Sequence, residues 1–128
     1  MDLPKDLVAA SATPLVLAVL EQGDSYGYEI INSIRDLSGG ELEWKQGMLY
    51  PLLHRLASQG SIESYQGVSA AGRVRKYYRL LPVGRRQLET CRQNFDLISS
   101  TLAALGRLNP RRHTCHSLTS WSISGYST

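Results

Sequence analysis

The residues of this chain best equipped for chemistry on their own are three histidines and two cysteines, His54, His113, His116, Cys91 and Cys115. "HTCHS" (residues 113–117) could offer His113, Cys115 and His116 to a metal, but the spacing matches no established zinc arrangement. None of the histidines has a paired acid and nucleophile at a spacing that would build a hydrolytic site, and no glycine-rich phosphate loop is present. Two cysteines make no disulfide framework. Cys91 lies on an apolar seam, where a small spacer is expected rather than a redox switch. Nothing here calls for a catalytic residue, a metal or a cofactor.

What remains is ionic and hydrogen-bonding chemistry. The net charge of +3 is unevenly spread. Residues 1–44 carry eight acids against Lys5 and Arg35, whereas residues 45–92 carry nine bases against Glu63 and Glu89. Such a basic segment attracts a polyanion if the fold gathers its cations on one face. "GRVRK" (residues 72–76) supplies long cations beside a glycine, the composition of an exposed tip that reaches phosphates. "GMLYPLLHRLASQG" (residues 47–60) places His54 and Arg55 in an apolar helical pattern.

The elements that position these residues can be read from periodicity. Thr13-Pro14 predicts a helix start, with "LVLAVLEQ" buried and Gly23 as the stop. Asp24 or Ser25 is expected to cap a second helix, with Ile30, Ile31, Ile34 and Leu37 on its inner face. In the third helix Leu49, Leu52, Leu53 and Leu56 fall on one stripe, which turns Gly47, Pro51, His54 and Ser58 outward. Pro51 is expected in the first turn, where its missing N–H matters little. Residues 62–66 and 74–80 predict a β-hairpin with a loose tip at "GVSAAGR". Tyr78 and Leu80 should point to one face, and Arg75, Tyr77 and Arg79 to the other. Pro82 opens a long last helix, capped at Gly106, whose Leu88, Cys91, Phe95, Ile98, Leu102 and Leu105 repeat at 3 and 4 residues. That stripe outruns a three-helix core and should be covered by a second copy of the chain.

Helix–helix–helix–hairpin is the layout of a winged helix-turn-helix: mainly α with a small β-hairpin, plus a long C-terminal dimerisation helix. In it the second helix braces on duplex backbone, the third presents its polar side to the major groove, and the hairpin reaches an adjoining groove. The expected division is a DNA-binding domain at 1–81, a dimerisation helix at 82–106 and a disordered tail at 107–128. With 42% hydrophobic residues, 20% charged residues and no apolar run long enough to span a bilayer, a membrane role is not expected. An acidic N-terminus without an apolar stretch after basic residues is no secretory signal, so a cytoplasmic protein with free thiols is expected.

"SYGYEI", "GMLYPLLHRLASQG" and "GRVRKYYRLLPVGRRQL" together resemble the PadR family of bacterial transcriptional regulators, in matching order over roughly residues 14–90. The resemblance implies a homodimeric winged-helix repressor on double-stranded DNA with a two-fold operator, often relieved by a small molecule. It puts Ser25, Tyr26 and Tyr28 near phosphates, and Gln46, Tyr50, His54 and Arg55 in or beside the major groove. Arg73, Arg75 and Lys76 become the basic wing, while Lys45 lies among the cations near phosphates. Trp44 and Phe95 are candidates for an effector pocket. Met48 and Leu81 stand where the family commonly has Thr, so operator preference does not transfer. A protein-interaction module that no longer binds DNA is the alternative, as is a sensor whose ligand pocket is the dimer groove.

Overall fold

The computed structural model describes residues 3–108. Helix α1 (Lys5–Gln22) begins well before Thr13. "KDLVAASA" is rich in alanine, the best helix former, and burying Ala12 with Val8 packed nearby extends the helix toward the N-terminus. Pro14 is therefore interior, not a start. Its local penalty, about 3 kcal/mol, is offset by burial of Val16, Leu17 and Leu20 on the following turns. Gly23 ends α1 as its position predicts, its N–H reaching the Leu20 carbonyl at 3.2 Å.

Strand β1 (Ser25–Tyr26) precedes helix α2 (Gly27–Leu37). Neither Asp24 nor Ser25 caps α2. Tyr26 is the N-cap residue, and its own N–H donates to the Glu29 carboxylate at 3.2 Å. Ile30, Ile31 and Ile34 are buried, but Leu37 is 85% exposed, because the chain turns away there through left-handed Gly39 and Gly40.

Helix α3 (Gln46–Ser58) buries Leu49, Leu52, Leu53 and Leu56, each worth roughly 2 kcal/mol on removal from water. α3 starts within one residue of Gly47, but Pro51 is its sixth residue, in the second turn and not the first. The absent N–H leaves the Gly47 carbonyl without its helical donor; both residues are exposed, so water can serve it. The helix closes on Gly60 at φ +77°, with Gly60 N–H to Ala57 O at 3.1 Å and Ser61 N–H to Leu56 O at 3.0 Å.

Strands β2 (Ile62–Val68) and β3 (Val74–Leu80) pair antiparallel along their full length, from Ile62↔Leu80 to Val68↔Val74. The tip is shorter and better closed than "GVSAAGR" suggests: Gly67 and Val68 join the strand, and Ser69 N–H meets Arg73 O at 2.8 Å. Gly72, at φ +82°, makes the turn possible. β1 adds to β3 through Ser25↔Tyr78 and Tyr26↔Tyr77, so the sheet has three strands in the order β1-β3-β2. Tyr78 and Leu80 face the core, as alternation requires.

Helix α4 runs Pro82–Arg107 and includes Gly106. The chain divides into two compact units, one ending at Glu89 and the other beginning at Thr90. In the first unit Gly84 and Leu88 pack into the core. In the second, the apolar side chains Phe95, Leu97, Ile98, Leu102, Leu105 and Leu108 are all exposed. The tail expected to be disordered lies, from residue 109 onward, outside the described residues, as does the HTCHS cluster.

Candidate nucleic-acid interface

The starts of α2 and α3 meet at Gly27 and Tyr50. A methyl group on Gly27 would run into the Tyr50 hydroxyl and lie 2.8 Å from ring carbon Cζ. Only glycine lets the phenol rest on the first turn of α2, and the "YGY" sequence carries that signal without declaring its partner. Together with the wing, these two helix starts line a cleft of about 400 Å³ bounded by Tyr26, Tyr28, Gln46, Tyr50, Val74, Arg75 and Lys76. A residue from each element that sequence reasoning singled out thus shares one cavity.

Along α3 the leucines are buried while Gln46, Gly47, Pro51, His54 and Ser58 are exposed, so the helix shows a polar side. Ser58 Oγ is occupied by the His54 carbonyl at 3.0 Å, which leaves the His54 ring, Gln46 and Tyr50 as the side chains directed outward from this helix. Lys45, just before α3, is exposed as well. Arg55 is tethered at its edge: its guanidinium donates to Thr13 Oγ1 of α1 at 3.4 Å. Tyr28 is 54% exposed at the α2 start. Ser25 sits in β1, not on the helix, with Oγ donating to the Gly23 carbonyl at 3.2 Å.

On the outer face of the sheet a row of rings and cations fixes the wing. Arg79 lies 4.6 Å over Tyr65, Tyr65 stacks on Tyr77 at 5.7 Å, Tyr77 meets Tyr26 edge-on at 5.4 Å, and Arg75 covers Tyr26 at 5.2 Å. Gly67 makes room, since a methyl there would approach Tyr77 Cδ1 to 2.6 Å. The Tyr65 hydroxyl donates to Asp24 at 2.7 Å, and that hydrogen bond to a carboxylate is the main cause holding its pKa above the ordinary phenol value. Desolvation raises Tyr77 and Tyr78 similarly, so these rings stay neutral at physiological pH. Arg79 is neutralised locally by Glu63 at 2.9 Å and Asp24 at 3.4 Å. Among the described residues Arg73, Arg75 and Lys76 make no such ion pair, and the sequence has no acid between Gln66 and Lys76. Arg75 Nε is buried without a hydrogen-bond partner among the described residues, under a guanidinium that lies over the Tyr26 ring.

The stretch from residue 16 to residue 90, holding the cleft, the polar helix side and the wing, matches the model of the Transcriptional regulator PadR-like family. The chain belongs to that family. Among solved structures this PadR-like chain is similar to a transcriptional regulator from Clostridium thermocellum, with a TM-score of 0.69 and 31% identity over 77% of this chain and 95% of that one. A PadR-like transcriptional regulator from Bacillus cereus gives a TM-score of 0.71 at 28% identity over 79% and 96%. The Transcriptional regulator YqjI of Escherichia coli is 29% identical over 90 residues, covering 70% of this chain and 42% of that protein. The winged-helix architecture, the family and the role in transcription regulation are thereby shown.

Leu88 is 2% exposed within a single chain, so it serves the chain's own core, and the uncovered stripe of α4 begins at Phe95. Cys91 is only partly exposed. Trp44 is buried at 7% exposure and borders a cavity of about 450 Å³ with Leu3, Val8, Leu42 and Glu43. Among the described residues no group of acids, histidines and cysteines could hold a metal ion, and no helix is long and apolar enough to cross a membrane.

The Gly27–Tyr50 contact is testable by a double-mutant cycle. Gly27→Ala is expected to lower stability by about 1 kcal/mol through overpacking. In a Tyr50→Ala background the same change should become neutral or slightly stabilising, since alanine favours helix. Urea unfolding of the four proteins checks this.

Proposed function

We propose that this PadR-like regulator is a cytoplasmic homodimeric repressor that occupies a two-fold operator and is released by a small molecule. The observation that carries the reading is the joining of the start of α3, through Gln46 and Tyr50, to a wing tip without acids in one cleft. Lys45, Arg73, Arg75, Lys76 and the start of α2 with Ser25, Tyr26 and Tyr28 neutralise or hydrogen-bond phosphates; Gln46, Tyr50, His54 and the edge residue Arg55 meet base edges. Arg75 acts from the edge of the cleft, and Lys76 from an exposed position. Uniform phosphate contacts supply affinity, and the few α3 side chains supply selectivity.

Residues 1–81 bind DNA in this reading, and residues 82–106 dimerise the chain. Exposed Phe95, Ile98, Leu102 and Leu105, spaced 3, 4 and 3, support a second copy as the cover for α4, with Cys91 at the seam's edge. Two α3 helices then stand about 34 Å apart, one turn of duplex. The cavity beside Trp44, bordered by Glu41 and Glu43, and the exposed ring of Phe95 are the two candidate places for an effector.

Selection of bound sites from random duplexes tests the proposal: an inverted-repeat consensus is expected, and absence of any enriched sequence would defeat it. On the selected site, Arg75→Ala with Lys76→Ala should weaken specific and nonspecific duplexes alike, flattening the slope of log K against log salt by about 1 to 2. A gel-shift titration over salt reads that slope, and an unchanged value would remove the wing from the interface.

A further inference from the structure

The core-facing side of the hairpin does not end where the core ends. Along β3 the residues on that side are Leu80, Tyr78, Lys76 and Val74; along β2 they are Ile62, Ser64, Gln66 and Val68. Leu80, Tyr78 and Ile62 are buried, but Val68 and Val74 are 67% and 65% exposed. They are a directly opposed pair at the last rung before the tip. Val74 also borders the cleft shared by α2, α3 and the wing. Two bare β-branched side chains are thus held side by side on the face that overlooks the cleft, with Lys76 on the same side, Arg73 and Arg75 adjacent along the chain, and no acid from residue 66 to residue 76.

We infer that Val68 and Val74 form an apolar wedge that enters the minor groove beside the operator and selects A·T over G·C pairs there. The inference rests on the DNA-binding reading above and adds to it a specificity that charge alone does not provide. The acid-free cationic surround fixes the occupant as a polyanion, and a wedge of methyl groups suits its least polar recess. A·T pairs present only acceptors and the adenine C2–H on the minor-groove floor, whereas guanine adds the N2 amino group. Valine methyls pack against the former; against the latter they leave a donor desolvated without a partner. Arg73 strengthens the same choice, because A·T-rich grooves are narrow and more negative. The sequence expectation, a hairpin tip reaching an adjoining groove or phosphates through its cations, gives Val68 and Val74 no role.

Inosine separates minor-groove reading from every other cause. An I·C pair keeps the major-groove face of G·C but lacks the N2 amino group. The experiment takes a duplex selected from random DNA and locates the flanking positions whose hydroxyl-radical protection is lost in Arg73→Ala. Those positions are then made A·T, I·C or G·C. The full chain is expected to bind the A·T and I·C versions equally and the G·C version about tenfold more weakly. Val68→Thr with Val74→Thr keeps branching and strand preference but places a hydroxyl at each position, and should erase that difference. Equal binding of all three duplexes by the parent chain overturns the inference. So does I·C behaving like G·C, or discrimination that survives in the threonine variant. If the parent chain enriches no duplex in the first place, the operator-binding reading itself is what has failed.

Discussion

Ile98→Glu combined with Leu102→Glu yields a chain that sediments at the mass of one protomer and binds the selected operator about a hundredfold more weakly than the parent. Both residues are mostly exposed in the single chain, at 57% and 65%, so the substitutions disturb no internal packing and the circular dichroism of the chain should hardly change. What they disturb is association. An apolar stripe met by its own copy excludes water, and four carboxylates at such a seam would have to be buried or the seam opened. With the seam open, each half-site binds alone and the gain from linked binding, typically 10²- to 10⁴-fold, is forfeited. Sedimentation and gel-shift on the same samples check both halves. A variant that remains dimeric would remove the α4 stripe as the contact; one that becomes monomeric yet keeps full affinity would remove the two-fold operator.

Gly84→Ala acts on a different element and should unfold the protein more readily by about 2 to 3 kcal/mol. Gly84 lies in the first turn of α4, against the turn that links α3 to β2. A methyl there would collide with the Ser61 carbonyl and come within 2.6 Å of Leu80 Cδ1. The carbonyl cannot step aside freely, because it accepts the Leu81 N–H at 3.0 Å, and Ser61 Oγ is bound to Gln87 Oε1 at 2.7 Å. The end of α3, the base of the hairpin and the start of α4 are therefore closed on one another by a missing side chain. A fall in melting temperature of roughly 10 °C or more is the expected scale for such a loss in a unit of this size. Unaltered melting would mean that the backbone gives way there.

The stripe of four leucines made α3 and its polar side legible from the sequence, and full strand alternation did the same for Tyr78 and Leu80. Other features were hidden because their cause lies in tertiary partners. A two-residue strand such as β1 has no period to detect; it exists because Tyr26 and Tyr77 meet. Thr13-Pro14 is a good local start signal, yet burial of Ala12 and an alanine-rich run outweigh it. α3 begins at Gln46, within one residue of the start its pattern indicates, yet Pro51 is its sixth residue and so lies past the first turn, where its missing N–H counts. Leu88 fits the heptad, but the core of its own domain claims it first. The need for glycine at 27 and 84 comes from Tyr50 and Ser61, which no local pattern links to them. For the candidate interface, the sequence offers residue types and order; the shared cleft and the tether of Arg55 to Thr13 arise only in the fold.

Tyr26 belongs at once to the sheet and to the N-cap of α2, while its ring lies between Tyr77 and Arg75. A push on the hairpin is thus passed straight to α2, and the hairpin is already shaped in the free chain, its tip closed by backbone bonds. Docking should then carry the calorimetric signature of two preformed bodies, a heat-capacity change no larger than the contact area accounts for, without the excess that accompanies folding on arrival.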